Sequence, residues 1–415
     1  MNPSPVAVRL LRLLTCALLT LGSTARAADW DVIPSGTTSD LLAVLKSGID
    51  GRIVGRDGYM ALANPTRTAW SPIATPTSTD LYSVLSQSVG QVWIGSESGA
   101  VHVQLGGIWN SRPIPNSAEN FVLVSNSSMA AFAAGSAGSV YYTFDGGSTW
   151  YGQASGTAYA LHAGTEGFGW AWLVGDHGTI RHTRNGGATW FGQPSGTTTN
   201  LYGFSRSGST NLAVGAGGTI LRSVDNGDTW VSVASGTTAT LRDVAWSMQD
   251  GNTLYAVGDG GTALKSSDQG LTWCVLATGS AAKLNNVLVP ANLEAIAIGD
   301  HGVILRTTNG GGGCAVTGVE WNGDGAGVAC RISGPAPSPV TGRGEFRFAP
   351  ARAGVVAVDL YDVNGRRVAQ LFDGFVGAGE SRAASVNARA VAPGVYLVRV
   401  RGEGFDLRRK VVVAR

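Results

Sequence analysis

The sequence predicts an all-β chain, and three observations carry the prediction. A glycine returns at Gly55, Gly95, Gly135, Gly175, Gly215, Gly258 and Gly299, at intervals of 40, 40, 40, 40, 43 and 41 residues. A tryptophan keeps step about fifteen positions later, at Trp70, Trp109, Trp150, Trp190, Trp230 and Trp273, with Cys314 in the seventh place. Beyond Cys314 the period stops, and after residue 344 short alternating strands take over. Several short strands in a unit of about 40 residues make one blade of a β-propeller. The expected architecture is a seven-bladed β-propeller over residues 28–314, a Gly/Pro-rich linker over 315–344 and a small Ig-like β-sandwich over 345–415.

The clearest unit runs from Leu201 to Ser235. Leu201-Tyr202-Gly203-Phe204 reads as a short apolar strand. Asn211-Leu212-Ala213-Val214-Gly215 reads as a strand buried on both faces. Ala216-Gly217-Gly218 is a tight hairpin in which glycine supplies positive φ, and Thr219 to Ser223 is the third strand. Asp225-Asn226-Gly227-Asp228 turns the chain into the outer strand that starts at Thr229-Trp230. One such blade cannot bury both faces, so it must stack in a ring, and closing the ring removes exposed sheet edges.

Trp30 lies 40 residues before Trp70, in Asp29-Trp30-Asp31-Val32-Ile33. It has the pattern of an outer strand without a blade of its own. Residues 28–36 are therefore expected to complete the last blade and close the ring. Residues 1–27 read as a signal peptide: Arg9 and Arg12, a short apolar run from Leu13 to Leu21, and Ala25-Arg26-Ala27 before the cut. That run is too short for a membrane span, and no other segment is long and apolar enough to cross.

Between Ser or Thr and the tryptophan, the turn repeats Ser/Thr-x-Asp/Asn-x-Gly-x-Thr-Trp, with Asp145, Asn185, Asp225 and Asp268 as the turn formers. It resembles the Asp-box (BNR-type repeat) of sialidase-type propellers. With the preceding Val-Gly-x-x-Gly-Thr-Ile-x-Arg, it is more similar to the repeats of photosystem II assembly and stability factors. Four units match well; those ending at Trp70 and Trp109 are degenerate, and the last puts Cys314 where tryptophan is expected. In the tail, Tyr361-Asp362-Val363-Asn364-Gly365-Arg366, Gly394-Val395-Tyr396 and Arg409-Lys410-Val411-Val412-Val413 resemble the C-terminal sorting domain of the type IX secretion pathway. That resemblance implies outer-membrane export through residues 345–415, by way of the secretion machinery, to the cell surface or the medium. An ordinary accessory Ig-like domain is the alternative.

Composition excludes some functions. Residues 28–314 carry 13 basic and 19 acidic side chains, which argues against nucleic acid as a partner. Residues 345–415 carry 12 basic and 7 acidic ones. Three cysteines follow the leader, so one pair forms at most. Cys314 and Cys330 are the expected disulfide and Cys274 the packed thiol, with Cys274–Cys314 as the competing pair. No Cys or His spacing suggests a metal site, and no cofactor is expected.

For ligand binding the periodicity offers one clue. Four residues past the second hairpin glycine stand Leu62, Val103, Tyr142, His182, Arg222, Lys265 and Arg306, which in a ring lie on one circle. Tyr142, His182, Arg222, Lys265 and Arg306 would make a basic arc with one aromatic, suited to carboxylates or phosphates. The photosystem factors use arginines of this kind to hold a partner protein. Equally open is that each base pairs with a neighbouring blade's turn carboxylate, such as Asp225 or Asp268. Asp176-His177 and Asp300-His301 share one hairpin and read as turn chemistry. Trp170 and Trp172, two apart on one strand, read as an inter-blade plug, or else a sugar platform.

Sialidase chemistry needs an arginine triad, a Tyr–Glu pair and an acid/base Asp. Here Arg112-Pro113-Ile114-Pro115 falls on an outer strand, and nothing marks a carboxylate pair. The expected function is a non-catalytic binding or scaffold protein, exported to the surface or medium, with a cell-surface protein or polysaccharide as partner. A sialidase-like glycoside hydrolase is the alternative, and a photosystem assembly chaperone the second. The sorting tail speaks against the latter, because it directs the chain away from photosynthetic membranes.

Overall fold

The computed structural model describes residues 29–46, 51–88, 91–115, 117, 119–124, 129–167, 169–312, 330–336, 340–350, 352–362, 365–378, 380, 382–403 and 405–414. The proposed signal peptide and Cys314 lie outside the described residues.

Seven antiparallel four-stranded sheets form the blades. Blade 5 is representative, with strands Leu201–Ser207, Thr210–Gly215, Ile220–Ser223 and Val231–Val233 in spatial order. Second strands such as Thr210–Gly215 are buried along their whole length, as apolar runs covered on both faces must be. First strands of successive blades touch one another all the way round, blade 7 against blade 1 included. The core is correspondingly divided into seam clusters. The seam between blades 7 and 1 packs Leu288, Ile296, Ile298 and Ile304 against Leu41, Val44, Ile53 and Trp70.

The N-terminal segment closes the ring. Asp31–Val32 pairs antiparallel with Ile304–Thr307 as the outer strand of blade 7. Asn309 Nδ2 donates to Asp29 Oδ1 at 3.4 Å, and the buried Trp30 packs with Tyr255 and Leu276. The turn of blade 7 thus draws its tryptophan from the opposite end of the chain. Asp243, on the first strand of blade 6, adds a polar tie on the inner side of the ring. Its Oδ1 receives Lys46 Nζ of blade 1 at 2.6 Å, and its Oδ2 receives the Val287 N–H of blade 7 at 2.9 Å, so one carboxylate joins three blades.

The tryptophan turn has one repeated hydrogen-bond pattern. In blade 5, Ser223 Oγ donates to Asp225 Oδ1 at 2.7 Å and accepts from Gly227 N at 2.8 Å. Thr229 N and Oγ1 donate to the two Asp225 oxygens at 2.9 and 2.5 Å. Asp145 and Asp268 repeat this, and Asn185 fills the same place with its amide. Chiefly the Thr229 hydroxyl, then its N–H, hold Asp225 down to about 2. A depressed carboxylate contributes stability above its unfolded value near 4 and loses it as pH falls toward 2. Asp225→Ala is therefore expected to cost about 1 kcal/mol at pH 7. Asp225→Asn, which Asn185 shows to be compatible, should cost little there and flatten acid sensitivity below about pH 4. Melts at pH 7 and pH 3 check both; equal losses for Ala and Asn would contradict the assignment.

The recurring glycines have a reason beyond turn geometry. Gly215 has extended backbone at φ −166°, but a Cβ there would stand 2.1 Å from the Asn200 carbonyl oxygen. Close approach of two backbones, rather than positive φ, demands glycine at this phase of the repeat.

Two expectations are corrected. Cys274 is disulfide-bonded, so a pair Cys314–Cys330 with Cys274 left as a packed thiol does not stand. Cys274 opens the outer strand of blade 6 and is only partly buried, a rim position from which sulfur can reach a partner. The linker is also shorter than expected. Cys330–Ala336 is an edge strand paired with Arg343–Pro350, a place where proline is tolerated because one side of the strand needs no donors. The C-terminal domain is a sandwich of a three-stranded and a four-stranded sheet around Phe346, Phe348, Val358, Leu360, Val398 and Val400.

Candidate functional site

The arc residues occupy seven equivalent third-strand positions, as the period requires. Strand register sets each opposite a second-strand residue, most of which are large seam fillers: Trp93↔Val103, Phe132↔Tyr142, Trp172↔His182, Leu212↔Arg222, Tyr255↔Lys265 and Ile296↔Arg306. Each then finds local company. Tyr142 lies 4.7 Å from the Phe132 ring, and His182 stacks on Trp172 at 4.5 Å with planes 10° apart. Lys265 Nζ sits 5.3 Å over the Tyr255 ring. Arg222 Nε donates to the Gln269 carbonyl of blade 6 at 2.7 Å, near Asp268, and Arg306 pairs with Glu294 of its own blade at 3.0 Å. Burial, then the Arg184 charge, push His182 down to about 4, and burial lowers Lys265. His182 is therefore neutral at neutral pH.

Trp172 has no solvent exposure and plugs the seam between blades 4 and 5. Trp170 is partly buried beside it, with the Arg184 guanidinium 4.9 Å over its ring. His177 and His301 adopt left-handed backbone at φ 55° and 58°, which confirms their turn role. Their N–H groups donate to Asn200 and Asp40 of the next blade, each at 3.0 Å.

A second set of residues converges where the period offered no signal. Immediately after the leucine that opens the first strand, the register slips by one residue in blades 1, 2, 4, 5, 6 and 7. A β-bulge takes its residue out of the ladder and re-aims the side chain. The bulged residues are Leu42, Tyr82, His162, Tyr202, Arg242 and Asn285, all partly exposed at the end of the inner wall. His162 Nε2 meets Asp176 Oδ1 at 2.8 Å, and its ring lies 5.2 Å from Tyr202. The Arg242 guanidinium lies 4.7 Å over the other neighbour's ring, Tyr202, and grips both Asp259 oxygens at 2.8 and 2.9 Å. Asn285 Nδ2 donates to Asp300 at 2.8 Å and to the Leu41 carbonyl of blade 1 at 2.9 Å. Arg56 links Asp40 and Asp80 at 3.0 and 3.1 Å. Three hairpin aspartates, Asp176, Asp259 and Asp300, therefore orient His162, Arg242 and Asn285. The signal was present in the sequence as the varied residue after each opening leucine, but the repeats were phased on glycine and tryptophan, which fall elsewhere.

Residues 336–414 match the family of the secretion system C-terminal sorting domain. This match indicates export and a place at the cell surface or in the medium, and it implies contact with the secretion machinery. Among the described residues no helix is long and apolar enough to cross a membrane. No curated protein matches the chain. Among solved structures, the chain is similar to YCF48 bound to a D1 peptide, at 18% identity and TM-score 0.57, over 67% of this chain and 94% of that one. It is similar to YCF48 from Cyanidioschyzon merolae at 18% identity and TM-score 0.56, over 67% and 98%. The GH74 enzyme of Niastella koreensis shares 14% identity at TM-score 0.51, over 66% of this chain and 44% of the enzyme. At such identities the likeness is one of fold.

Proposed function

We propose that the propeller is a non-catalytic binding module, exported by its sorting domain, that holds a cell-surface protein or polysaccharide across the mouth formed by Tyr82, His162, Tyr202, Arg242 and Asn285. The bulges carry this reading. Six blades interrupt their ladders at one position, and bulges of this kind serve to re-aim side chains. The result is a partly exposed ring of aromatic, cationic and amide groups, the residue types that dominate recognition surfaces. The solved YCF48 bound to a D1 peptide is a propeller of this shape holding a peptide.

Catalysis has less support. Asp176, Asp259 and Asp300 at the mouth are each engaged by a neighbour, which leaves no obvious acid–base pair. Glu166, pushed up to about 7 by burial, is near Tyr142 in the seam between blades 3 and 4, away from the mouth.

The test is capture from native envelope and medium on the immobilised full mature chain. Tyr202→Ala is expected to weaken capture roughly 30-fold, as loss of an aromatic hot spot does. The triple change Arg222→Glu, Lys265→Glu, Arg306→Glu should leave it intact if folding survives. Loss in the triple variant alone would move the site to the arc. Turnover of fluorogenic glycosides by the wild-type chain would replace binding with hydrolysis.

A further inference from the structure

Blades 3 and 4 carry aromatic rings where the other blades do not. Cross-strand pairing sets a row of side chains on one face of each blade, from the second strand to the outer one. In blade 3 the row is Phe132, Tyr142 and Tyr151, and in blade 4 it is Trp172, His182 and Phe191. At the outer place the remaining blades put Ser71, Asn110, Val231, Cys274 and Asp31. Rings therefore reach the rim on two neighbouring blades only, each within a Trp-aromatic-Gly-Gln sequence that occurs nowhere else in the chain. Tyr151 is 49% exposed and Phe191 58%. Phe144, also 58% exposed, lies parallel to Tyr151 at 5.3 Å with planes 9° apart.

The rows beneath fix these rings, since Tyr142 packs on Phe132 and His182 stacks on Trp172. Rings held in place before a ligand arrives cost little ordering entropy on binding. Between them runs the blade 4 turn Gly186-Gly187-Ala188-Thr189, and Gln153 Nε2 of the blade 3 outer strand donates to its Gly186 carbonyl at 3.4 Å. These small residues leave a shallow path from one ring to the other. Charge along the path cancels: Arg184 is paired with Asp228, and Arg181 and Asp145 add one of each sign. Exposed apolar surface rimmed by polar groups marks an interaction site, and the absence of net charge points to a neutral occupant. A pyranose with equatorial hydroxyls presents a flat face of C–H groups that packs on an aromatic ring, and a polymer repeats that face as the blades repeat the ring.

We propose that this strip binds a neutral, equatorially linked polysaccharide, with one sugar face against the Phe144–Tyr151 pair and a later one against Phe191. The strip is built on the turns between third and outer strands. The mouth is built on the hairpins between second and third strands, at the opposite end of the blades. The two sites are separate, and the strip does not depend on the function proposed for the mouth.

The test is calorimetric titration of the full mature chain with cellohexaose and with cellobiose. Cellohexaose should bind saturably, with the same affinity at low and high salt. Cellobiose, which covers one platform only, should bind roughly ten-fold or more weakly. Tyr151→Ala and Phe191→Ala should each weaken cellohexaose binding roughly ten-fold. Their melts should match the wild type, because both side chains are about half exposed. Val231→Ala, at the equivalent place in blade 5, is the control and should bind as the wild type does. No binding by the wild type, equal affinity for the two sugars, loss of affinity in high salt, retention of binding after both rings are removed, or an equal loss in Val231→Ala would overturn the proposal.

Discussion

Trp30→Ala is expected to lower the melting temperature by roughly 10 °C, from a cost of about 3–5 kcal/mol for truncating a buried tryptophan. Trp30 is 3% exposed and stands edge-on to Tyr255 at 6.4 Å. It completes a turn whose other residues, Thr307 to Gly311, lie at the far end of the propeller sequence. Deleting residues 28–36 should do more. It removes the strand paired with Ile304–Thr307, withdraws Ile33 from the closing seam and bares an edge that invites association. Val32→Ser is the control, since Val32 is 73% exposed. Calorimetry and light scattering read both effects. An unchanged melt for the deletion would mean that the ring holds without its clasp.

Glu166→Gln is expected to stabilise the protein at pH 8 and to be neutral at pH 4. Burial raises the Glu166 carboxyl from 4.5 to about 7, and its Oε2 is buried without a partner. The folded state thus keeps a proton that the unfolded chain releases. The Glu166 contribution is fully present below about pH 4.5 and is lost as pH rises to about 7, beyond which the loss is complete. Glutamine mimics the protonated form and escapes that loss. The gain at pH 8 should be about 2 kcal/mol, discounted from the full conversion because the group is partly wetted. Paired urea titrations at pH 4 and pH 8 decide it. A gain of equal size at both would assign the effect to packing, and a loss at pH 8 would show that the carboxylate has a partner.

Much of this architecture was readable because it repeats. Gly55, Gly175, Gly215, Gly258 and Gly299 stand where two backbones meet, and Asp225, Thr229 and Trp230 act within eight residues of one another, so both recur at a fixed phase. Trp30 was legible as an unpaired member of the series. Cys274 was misread because a disulfide depends on which segments meet at the rim, and its partner is set by distance in space. The strand at Cys330–Ala336 hid beneath the Gly and Pro composition of a linker, since only its edge position makes Pro335 acceptable.

By itself the sequence determined the seven blades, the closing role of the N-terminal strand, the turn chemistry and the sorting tail. The first three rest on local hydrogen bonds or on period and the tail on short motifs in a fixed order, all of which one-dimensional spacing records. Only the tertiary structure decided which side chains gather. The bulge that turns Tyr202 and Arg242 into one mouth arises from register between strands. The seam that leaves the buried Asn211 amide and His182 Nε2 unpartnered arises from two blades pressed together. An unmet hydrogen bond leaves no periodic mark on the chain, and the slip, though it recurs after each opening leucine, falls on a residue that differs from blade to blade.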